Sequence, residues 1–279
     1  MSPGRSAVRG RRFELHAHTH FSDGLLSPAE LVARAIEVDV DTLAITDHDT
    51  VDGIASSIEA AGEHLTIIPG IELSSTMDGL DIHILGYHLK PDDAALRARL
   101  EGFREERRER ARAISRKLGE LGAPIDIDEV FAGAGPGVVG RPHVAQALLR
   151  AGHVRGVDEA FQRFLGFNAS AYVQRPAFPS EEAVAVIRAA GGCAVVAHPA
   201  QSVTPLMLER LEAVGLTGVE VWHPVHGAAI QRRWHAEAER LGLVACGGSD
   251  FHGPLRGADL GSQPVPRTVL EQLLERTTA

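Results

Sequence analysis

The sequence predicts an α/β fold built from βα units and interrupted by an all-helical insertion. Short apolar segments alternate with helical patterns in residues 13–90 and 180–279, whereas no strand pattern occurs between about residues 91 and 179. The chain has 279 residues, 44% of them hydrophobic, and a single α/β barrel can occupy this length. We therefore expect one α/β domain in two segments, with the helical insertion at residues 91–179 between them.

Seven segments are short, apolar or β-branched, and bounded by Gly, Pro or Asp, which is typical of strands. The predicted strands are Phe13–His16, Thr42–Thr46, Thr66–Pro69, Ile82–Tyr87, Ala194–Ala197, Gly218–Val221 and Val244–Cys246. Helical patterns between many of them cover Pro28–Val38, Val51–Ala61, Ser180–Ala190, Pro205–Val214 and Gly227–Leu241. Pro28 after Ser27, with Glu30 behind it, is a good helix start. The alternation predicts parallel strands.

The insertion is predicted to begin with one long charged helix from Asp93 to Leu121. Further helices are predicted at Ile127–Ala132, Pro142–Ala151 and Val157–Phe164. The long helix carries an arginine-rich face, which could favour a polyanion. The simpler interpretation, which we prefer, is a solvated face whose arginines pair with glutamates on the same helix. The arginines are Arg97, Arg104, Arg107, Arg108 and Arg112, and the glutamates are Glu101, Glu105 and Glu109.

Composition excludes several classes of protein. The formal net charge is -9, which gives no support for binding stable duplex nucleic acid, although a small phosphorylated substrate stays possible if bound metals supply the local charge. No apolar run approaches the ~20 residues that span a bilayer, so no membrane partner is expected. The two cysteines, Cys193 and Cys246, are expected in the core and indicate reducing cytoplasm. Residues 1–12 are expected to form a flexible, arginine-rich tail.

The most informative pattern is a set of His and acidic residues at the edges of apolar segments. Imidazole and carboxylate together suit Zn, Mn and Fe. Because sites form at the carboxyl ends of parallel strands, so many candidate ligands imply one multinuclear metal site. The candidate ligands are His16, His18, Asp23, His48, Glu72, His83, His198, Asp250 and His252.

Several of these residues have alternative interpretations when taken alone. Glu72 could be a solvated loop residue, but beside the other strand ends a bridging carboxylate is favoured. A lone strand histidine such as His83 is more often structural. Asp47 is expected to orient a ligating imidazole from behind, with His48 as the better ligand. His20 is left open as a ligand.

The combined motifs resemble the PHP (polymerase and histidinol phosphatase) family of metal-dependent phosphoesterases, over nearly the whole chain. The matching segments are His16-x-His18, Ser22-Asp23-Gly24, Thr46-Asp47-His48-Asp49, Gly70-Ile71-Glu72, His83, Ala197-His198-Pro199 and Gly248-Ser249-Asp250-x-His252. The resemblance implies a distorted seven-stranded TIM-like (β/α) barrel with two to three divalent ions of Mn, Fe or Zn. It further implies three ligand sets. These are His16, His18, Glu72 and Asp250; then Asp23, His48 and His252; then Glu72, His83 and His198.

The insertion resembles the branch of this family that acts on nucleoside 3',5'-bisphosphates and on the 5' end of short RNA, and we expect it to cap the substrate. The matching motif is Gly140-Arg141-Pro142-His143. A helix N-terminus at Pro142 favours an anion, Arg141 could fork onto a phosphate and His143 could add a donor. An ordinary helix start is the alternative. His226 matches the family and is expected to bind a substrate phosphate, whereas Glu14 and His223 depart from its usual pattern.

The expected activity is hydrolysis of the 3'-phosphate of a nucleoside 3',5'-bisphosphate by a hydroxide generated at the metals, with no separate catalytic side chain. Short RNA cut from its 5' end is the near alternative, and histidinol phosphate is a weaker one. A non-catalytic metal-stabilised module would be expected to lack ligands. An amidohydrolase would usually need a lysine near the metals, whereas Lys90 and Lys117 both lie near or within the insertion.

Overall fold

The computed structural model describes residues 12–200, 202–254 and 257–277. The strands are β1 (Arg12–Glu14), β2 (Val40–Ile45), β3 (Thr66–Met77), β4 (Leu80–Tyr87), β5 (Cys193–Val196), β6 (Gly218–Trp222) and β7 (Val244–Gly247). The helices are α1 (Pro28–Glu37), α2 (Gly53–Ala61), α3 (Ala94–Glu120), α4 (Ile127–Ala134), α5 (Arg141–Arg150), α6 (Val157–Ala160), α7 (Ser180–Ala189), α8 (Pro205–Ala213), α9 (Ala228–Leu241) and α10 (Thr268–Glu275). A π-helical turn, Phe161–Leu165, follows α6. Of the predicted tail, residues 1–11 lie outside the described residues, and Arg12 already belongs to β1.

The strands form one seven-stranded sheet in chain order, from β1 to β7. Most neighbours are parallel, but β4 runs antiparallel to both β3 and β5, so the prediction of parallel strands is wrong there. The cause is a two-residue turn of Asp78 and Gly79, both at positive φ, which closes a hairpin directly after Met77. Asp-Gly favours this turn, and no helix can fit into two residues.

The two edges of the sheet approach each other without forming a ladder. Among the described residues, β1 and β7 are joined beyond their ends by a single bridge between Ala17 and Phe251. The Glu14 carboxylate adds a second link, since it accepts the backbone N–H groups of His16 and Ser249 at 2.9 Å each and that of Gly261 at 2.8 Å. The expected α/β class is confirmed, and the curved sheet is not a closed barrel.

Helices pack on the sheet through apolar faces, and their ends follow local signals. The start of α1 is confirmed: the Ser27 hydroxyl accepts from Glu30 N, and the Glu30 carboxylate accepts from Ser27 N. The largest core lies between the sheet and the surrounding helices and includes Trp234, which is fully buried. A smaller core on the opposite face receives Leu273 from α10, a helix that the sequence analysis missed.

The helices between β4 and α7 have a core of their own. It joins the second half of α3 to α4, α5, α6 and the π-helical turn, with Leu118, Val144 and Leu148 fully buried. The first half of α3 instead belongs to the core of the sheet region, where the rings of Phe103 and Phe178 contact each other at 4.8 Å between centroids. The division at residues 91–179 therefore stays a prediction, because these two aromatic residues tie both ends of the insertion to the sheet.

Candidate metal centre

The nine predicted ligands lie at one rim of the sheet. His16 and His18 follow β1, Asp23 lies in the next turn, and His48 follows β2. His198 follows β5, whereas Asp250 and His252 follow β7. Glu72 is a residue of β3 rather than of the loop beyond it, because β3 continues to Met77. His83 is near the beginning of β4, and only the antiparallel direction of β4 brings it to the rim where the other strands end.

Ligand atoms of eight of these residues, all except His198, form overlapping groups together with Glu220 and His223, and within each group the atoms lie within 4.8 Å of one another. In the described part of the chain, the groups are His16, His18, Glu72 and Asp250; His18, Asp23, His48 and His252; His48, Glu72 and His83; and His16, Glu220 and His223. The first group agrees with the first expected ligand set. The second group contains the second expected set, Asp23, His48 and His252, with His18 in addition. In the third, His48 replaces His198, although His198 Nε2 lies 3.0 Å from Glu72 Oε1.

Glu72 is the centre of the cluster and is fully buried. Its Oε1 lies 2.7 Å from His83 Nδ1, and its Oε2 lies 2.9 Å from His48 Nδ1 and 3.3 Å from His16 Nε2. Burial alone would raise the pKa of this carboxyl, but the surrounding imidazoles, His48 and His83 first, hold it well below its usual range. An ionised carboxylate with imidazoles on both oxygens has the chemistry of a bridge between two cations.

The donors fit divalent metal ions because several converge without making hydrogen bonds. His16 Nε2 and His48 Nδ1 lie 3.3 and 2.9 Å from Glu72 Oε2 and all three atoms are buried, yet none of them forms a hydrogen bond of acceptable geometry with a described residue. Buried polar atoms are normally satisfied, so an unsatisfied cluster at one point calls for an ion. Nitrogen and carboxylate oxygen donors match Zn, Mn and Fe.

Two imidazoles of the cluster have opposite pKa shifts. Burial, followed by repulsion from His252, lowers the pKa of His18 to about 3. Burial also opposes protonation of His252, but the nearby Asp23 and Asp250 carboxylates outweigh it and raise the pKa of His252 to about 9. At neutral pH His18 thus offers a lone pair, whereas His252 must release a proton before it can bind a metal.

Glu220, in β6, is a functional residue that sequence reasoning missed. It is fully buried; its Oε1 accepts from His16 Nδ1 at 3.0 Å and its Oε2 accepts from His198 N at 2.7 Å. A carboxylate that accepts a hydrogen bond from one nitrogen of a ligating imidazole fixes its tautomer. Here the proton is on His16 Nδ1, and Nε2 is left with a lone pair that faces the other ligand atoms. A charged residue inside the apolar segment from Gly218 to Val221 was the available signal.

Asp47 acts less directly than expected. Its Oδ1 accepts from Thr19 N at 2.7 Å and from the Ser22 hydroxyl at 2.6 Å, and its Oδ2 accepts from the Thr19 hydroxyl at 2.6 Å. Ser22 Oγ in turn lies 3.4 Å from His18 Nδ1. Asp47 therefore shapes the turn that carries Asp23 and reaches an imidazole only through Ser22.

A cavity of about 170 Å³ extends from the cluster to the helical region. Asp23, His48 and His83 form part of its wall on the sheet side. On the other side, four guanidinium groups line the cavity. They belong to Arg107 and Arg110 of α3, Arg141 at the start of α5, and Arg175 in the returning loop, which comprises residues 166–179 between the π-helical turn and α7. Arg141 was predicted, whereas the others reach the cavity through tertiary folding that sequence spacing does not reveal.

The arginine face of α3 is not simply solvated. Arg107 donates from Nε to Asp49 Oδ2 at 2.8 Å, and Arg97 and Arg104 pair with Asp52. The expected pairing with glutamates of α3 also occurs, since Arg112 pairs with Glu105 and Glu109, and Arg104 Nε lies 3.6 Å from Glu101 Oε2. Burial, and then the nearby Arg141, lower the pKa of Arg110 to about 10, which shows how closely the positive charges are gathered.

Two predicted phosphate donors are used by the protein itself. His226 is buried; its Nδ1 donates to Val221 O and its Nε2 accepts from Ala200 N, each at 3.0 Å, so neither ring nitrogen is left for a phosphate. His143 Nδ1 accepts from Gly140 N at 3.0 Å and stabilises the start of α5, and His143 does not line the cavity. The role of His226 as a phosphate ligand stays a prediction, and these two hydrogen bonds argue against it. His20 is exposed and belongs to none of the ligand groups among the described residues.

Known proteins resemble this chain in sequence and in fold over nearly its whole length. Residues 14–127 match the PHP domain model. The chain is 34% identical to the 3',5'-nucleoside bisphosphate phosphatase of Chromobacterium violaceum, over 94% of this chain and 96% of that protein. It is 36% identical to a 5'-3' exoribonuclease of Haemophilus influenzae, over 90% and 93%. A crystal structure from Bifidobacterium adolescentis, assigned as a metal-dependent phosphoesterase, superposes with a TM-score of 0.90 at 29% identity, over 97% and 98%.

The seven-stranded α/β fold and the histidine and carboxylate rim together define a metal-dependent hydrolase. The similarity over nearly the full length narrows the class further. The chain belongs to the PHP family, and the resemblance expected from its motifs is confirmed. In the part of the chain that the structure describes, no helix is both long and apolar enough to cross a membrane.

Proposed function

We propose that this protein hydrolyses the 3'-phosphate of a nucleoside 3',5'-bisphosphate and releases a 5'-nucleotide and inorganic phosphate. The observation that carries the proposal is one cavity with two chemically different walls. Metal-ligating groups line one wall, and four arginines line the other. A substrate with a phosphate at each end of one nucleoside has the matching charge at both walls.

The ligand cluster would hold two to three divalent ions of Mn, Fe or Zn. His16, His18, Glu72 and Asp250 would hold one ion, Asp23, His48 and His252 a second, and Glu72, His83 and His198 a third. Bound there, such ions lower the pKa of water and offset the charge of a phosphate. The structure supports the assignment through the orphaned donor atoms of His16, His48 and Glu72.

The residues of the chain supply positioning and charge. Arg110 and Arg141 would hold the phosphate that is not cleaved, since guanidinium groups bind phosphate oxygens in a fork geometry. Both lie near the Tyr172 ring, at 5.6 and 6.0 Å from its centroid, which restricts where the guanidinium groups can move. Phe103 and Phe178 give the same cavity an apolar wall that limits the entry of water. In the net reaction, water supplies the fourth oxygen of the released phosphate, and the 3'-oxygen takes up a proton from that water as its bond to phosphorus breaks.

Short RNA with a 5'-phosphate is a second candidate substrate, and the similarity to the Haemophilus exoribonuclease favours it. The bond to be broken is the same, between a 3'-oxygen and phosphorus. The first nucleotide would occupy the cavity as the bisphosphate does, with its 5'-phosphate at the arginines.

The buried and unlinked Cys193 and Cys246 support a reducing compartment such as the cytoplasm for either activity.

The test is phosphate or nucleotide release by protein loaded with Mn, Fe or Zn. The substrates are adenosine 3',5'-bisphosphate, 3'-AMP, 5'-AMP, a short 5'-phosphorylated RNA and histidinol phosphate. We expect the bisphosphate to be the best of the small substrates, with 3'-AMP far slower because it lacks the second phosphate. Equal rates on 3'-AMP and the bisphosphate would remove the arginine wall from the proposal. No turnover of any phosphoester by metal-loaded protein would favour a non-catalytic module.

A further inference from the structure

His223 is a buried imidazole beside the ligand cluster with no role in the mechanism above. It directly follows β6 and is only 4% exposed. Its ring centroid lies 5.3 Å from that of His198 and 6.1 Å from that of His16. Two roles at the ligand cluster are considered for this side chain, binding an ion and orienting a residue that binds one.

The hydrogen bonds of the ring fix its proton. Val225 N donates to His223 Nδ1 at 3.3 Å, so Nδ1 carries the lone pair. A neutral imidazole has one protonated nitrogen, and here this must be Nε2. Nε2 is buried, makes no hydrogen bond of normal length to the described residues, and lies 3.5 Å from Asp250 Oδ2.

The two oxygens of Asp250 face different neighbours. Oδ1 lies 3.1 Å from His18 Nε2 and 3.3 Å from His16 Nε2, inside a ligand group. Oδ2 faces His223. Asp250 also has a φ of 51°, an unfavourable conformation for a residue with a side chain, so its backbone is held by its surroundings. A hydrogen bond from His223 to Oδ2 would leave Oδ1 as the oxygen that faces His16 and His18.

The alternative, a further ion held by His16, Glu220 and His223, conflicts with the hydrogen bonds. Such an ion would need the lone pair of His16 Nδ1, but that nitrogen lies 3.0 Å from Glu220 Oε1 and is the donor of their hydrogen bond. It would also need a lone pair on His223 Nε2, where the proton is assigned. Both nitrogen atoms that this ion would need therefore carry a proton and have no lone pair to offer.

We propose that His223 is a positioning residue that holds Asp250 Oδ2 through its Nε2–H and thereby sets the metal affinity of the group formed by His16, His18, Glu72 and Asp250. The inference rests on the metal centre of the proposed function. It assigns a role to a residue outside the nine expected ligands.

The test compares His223→Phe, which removes the donor, with His223→Gln, whose amide N–H can reach the place of Nε2–H. Metal content after dialysis against a graded chelator series gives the readout, independently of activity. We expect His223→Phe to lose affinity for one ion about ten- to a hundredfold. His223→Gln should recover most of it. His235→Phe, which alters a half-exposed imidazole of α9, is the matched control and should bind as the wild type does.

Each outcome decides the inference. Wild-type affinity in His223→Phe would overturn it, and so would equal losses in the Phe and Gln variants. Loss of a whole ion from a wild-type stoichiometry of four would make His223 a ligand instead. If His223→Phe does not fold, as circular dichroism would show, the folded Gln variant decides alone through retained or lost affinity. Wild-type protein that binds no metal would contradict the proposed function itself, whereas unchanged variants contradict only the role of His223.

Discussion

The sheet rim and the helical region meet at one cavity but bring opposite chemistry to it. The rim crowds imidazoles and carboxylates into buried positions, with Glu72 and His16 fully buried. The helical region contributes guanidinium groups on long side chains, among them Arg110 and Arg141. Short ligand side chains at strand ends are held rigidly, whereas the arginines extend into the cavity from helices that pack around a separate core. The difference suggests that the rim performs the reaction and the helical region selects the substrate.

The largest effect should come from removing a ligand at the rim. Asp250→Asn and His198→Ala are each expected to reduce hydrolysis by at least about 10²–10³-fold on every substrate, because positioned charge in the site is lost. Metal analysis of the same samples should show reduced occupancy. His235→Ala, on the outer helix α9, is the control and should keep full activity. Substantial activity in Asp250→Asn would contradict its assignment as a ligand.

Removing an arginine should separate selection from reaction. Arg141→Ala or Arg110→Ala is expected to lower kcat/KM for the bisphosphate about 10–100-fold, as the loss of a hydrogen bond to a charged group predicts. The rate on 3'-AMP and the metal content should change little. Arg112→Ala, which removes contacts with Glu105, Glu109 and the Phe131 ring away from the cavity, is the matched control. Parallel losses on both substrates would mean that the arginines support the rim instead.

The junction between the two regions should respond to pH. Asp49 is buried, and although burial opposes ionisation, Arg107 lowers its pKa below the usual value. The pair therefore stabilises the fold at pH values above the unfolded pKa of about 4, and this contribution is lost as the pH falls through the depressed folded value. At pH 7, Asp49→Asn should lose about 3 kcal/mol of unfolding free energy. In urea titrations the gap to the wild type should narrow at acidic pH; a constant gap would argue against the ion pair.

The smallest effect should come from His143. His143→Ala removes the acceptor for Gly140 N at the start of α5 and should cost about 1 kcal/mol of stability or less. Hydrolysis of the bisphosphate should be unchanged, because the side chain does not line the cavity. A tenfold higher KM for the bisphosphate in this variant would restore His143 as a phosphate donor.

The sequence predicted the rim better than the opposite wall of the cavity. Strand ends are local features, so His48 and His198 could be placed from the apolar segments before them. The direction of β4 was missed although Asp78-Gly79 is a hairpin signal, because the predicted third strand ended at Pro69 and left no strand directly before the turn. Arg110 and Arg175 come together only when α3 and the returning loop pack, and their common cavity has no signature in spacing. His226 shows a limit of motif matching, since the match did not reveal that backbone groups bond to both ring nitrogens.

The seam between the first and last strands has a consequence for motion. Its described backbone links are the bridge at Ala17, with flanking bonds of 2.9 and 3.0 Å to Phe251, and a bond of 2.8 Å from Leu25 N to His252 O; the Glu14 carboxylate adds a side-chain link. A seam with so few bonds opens at a lower free energy than a continuous ladder. Amide hydrogens of His18 and Phe251 should thus exchange with deuterated solvent before those of β2 and β3. Because His16, His18 and Asp250 border this seam, we expect its opening to give ions a route to the ligand cluster that bypasses the arginines.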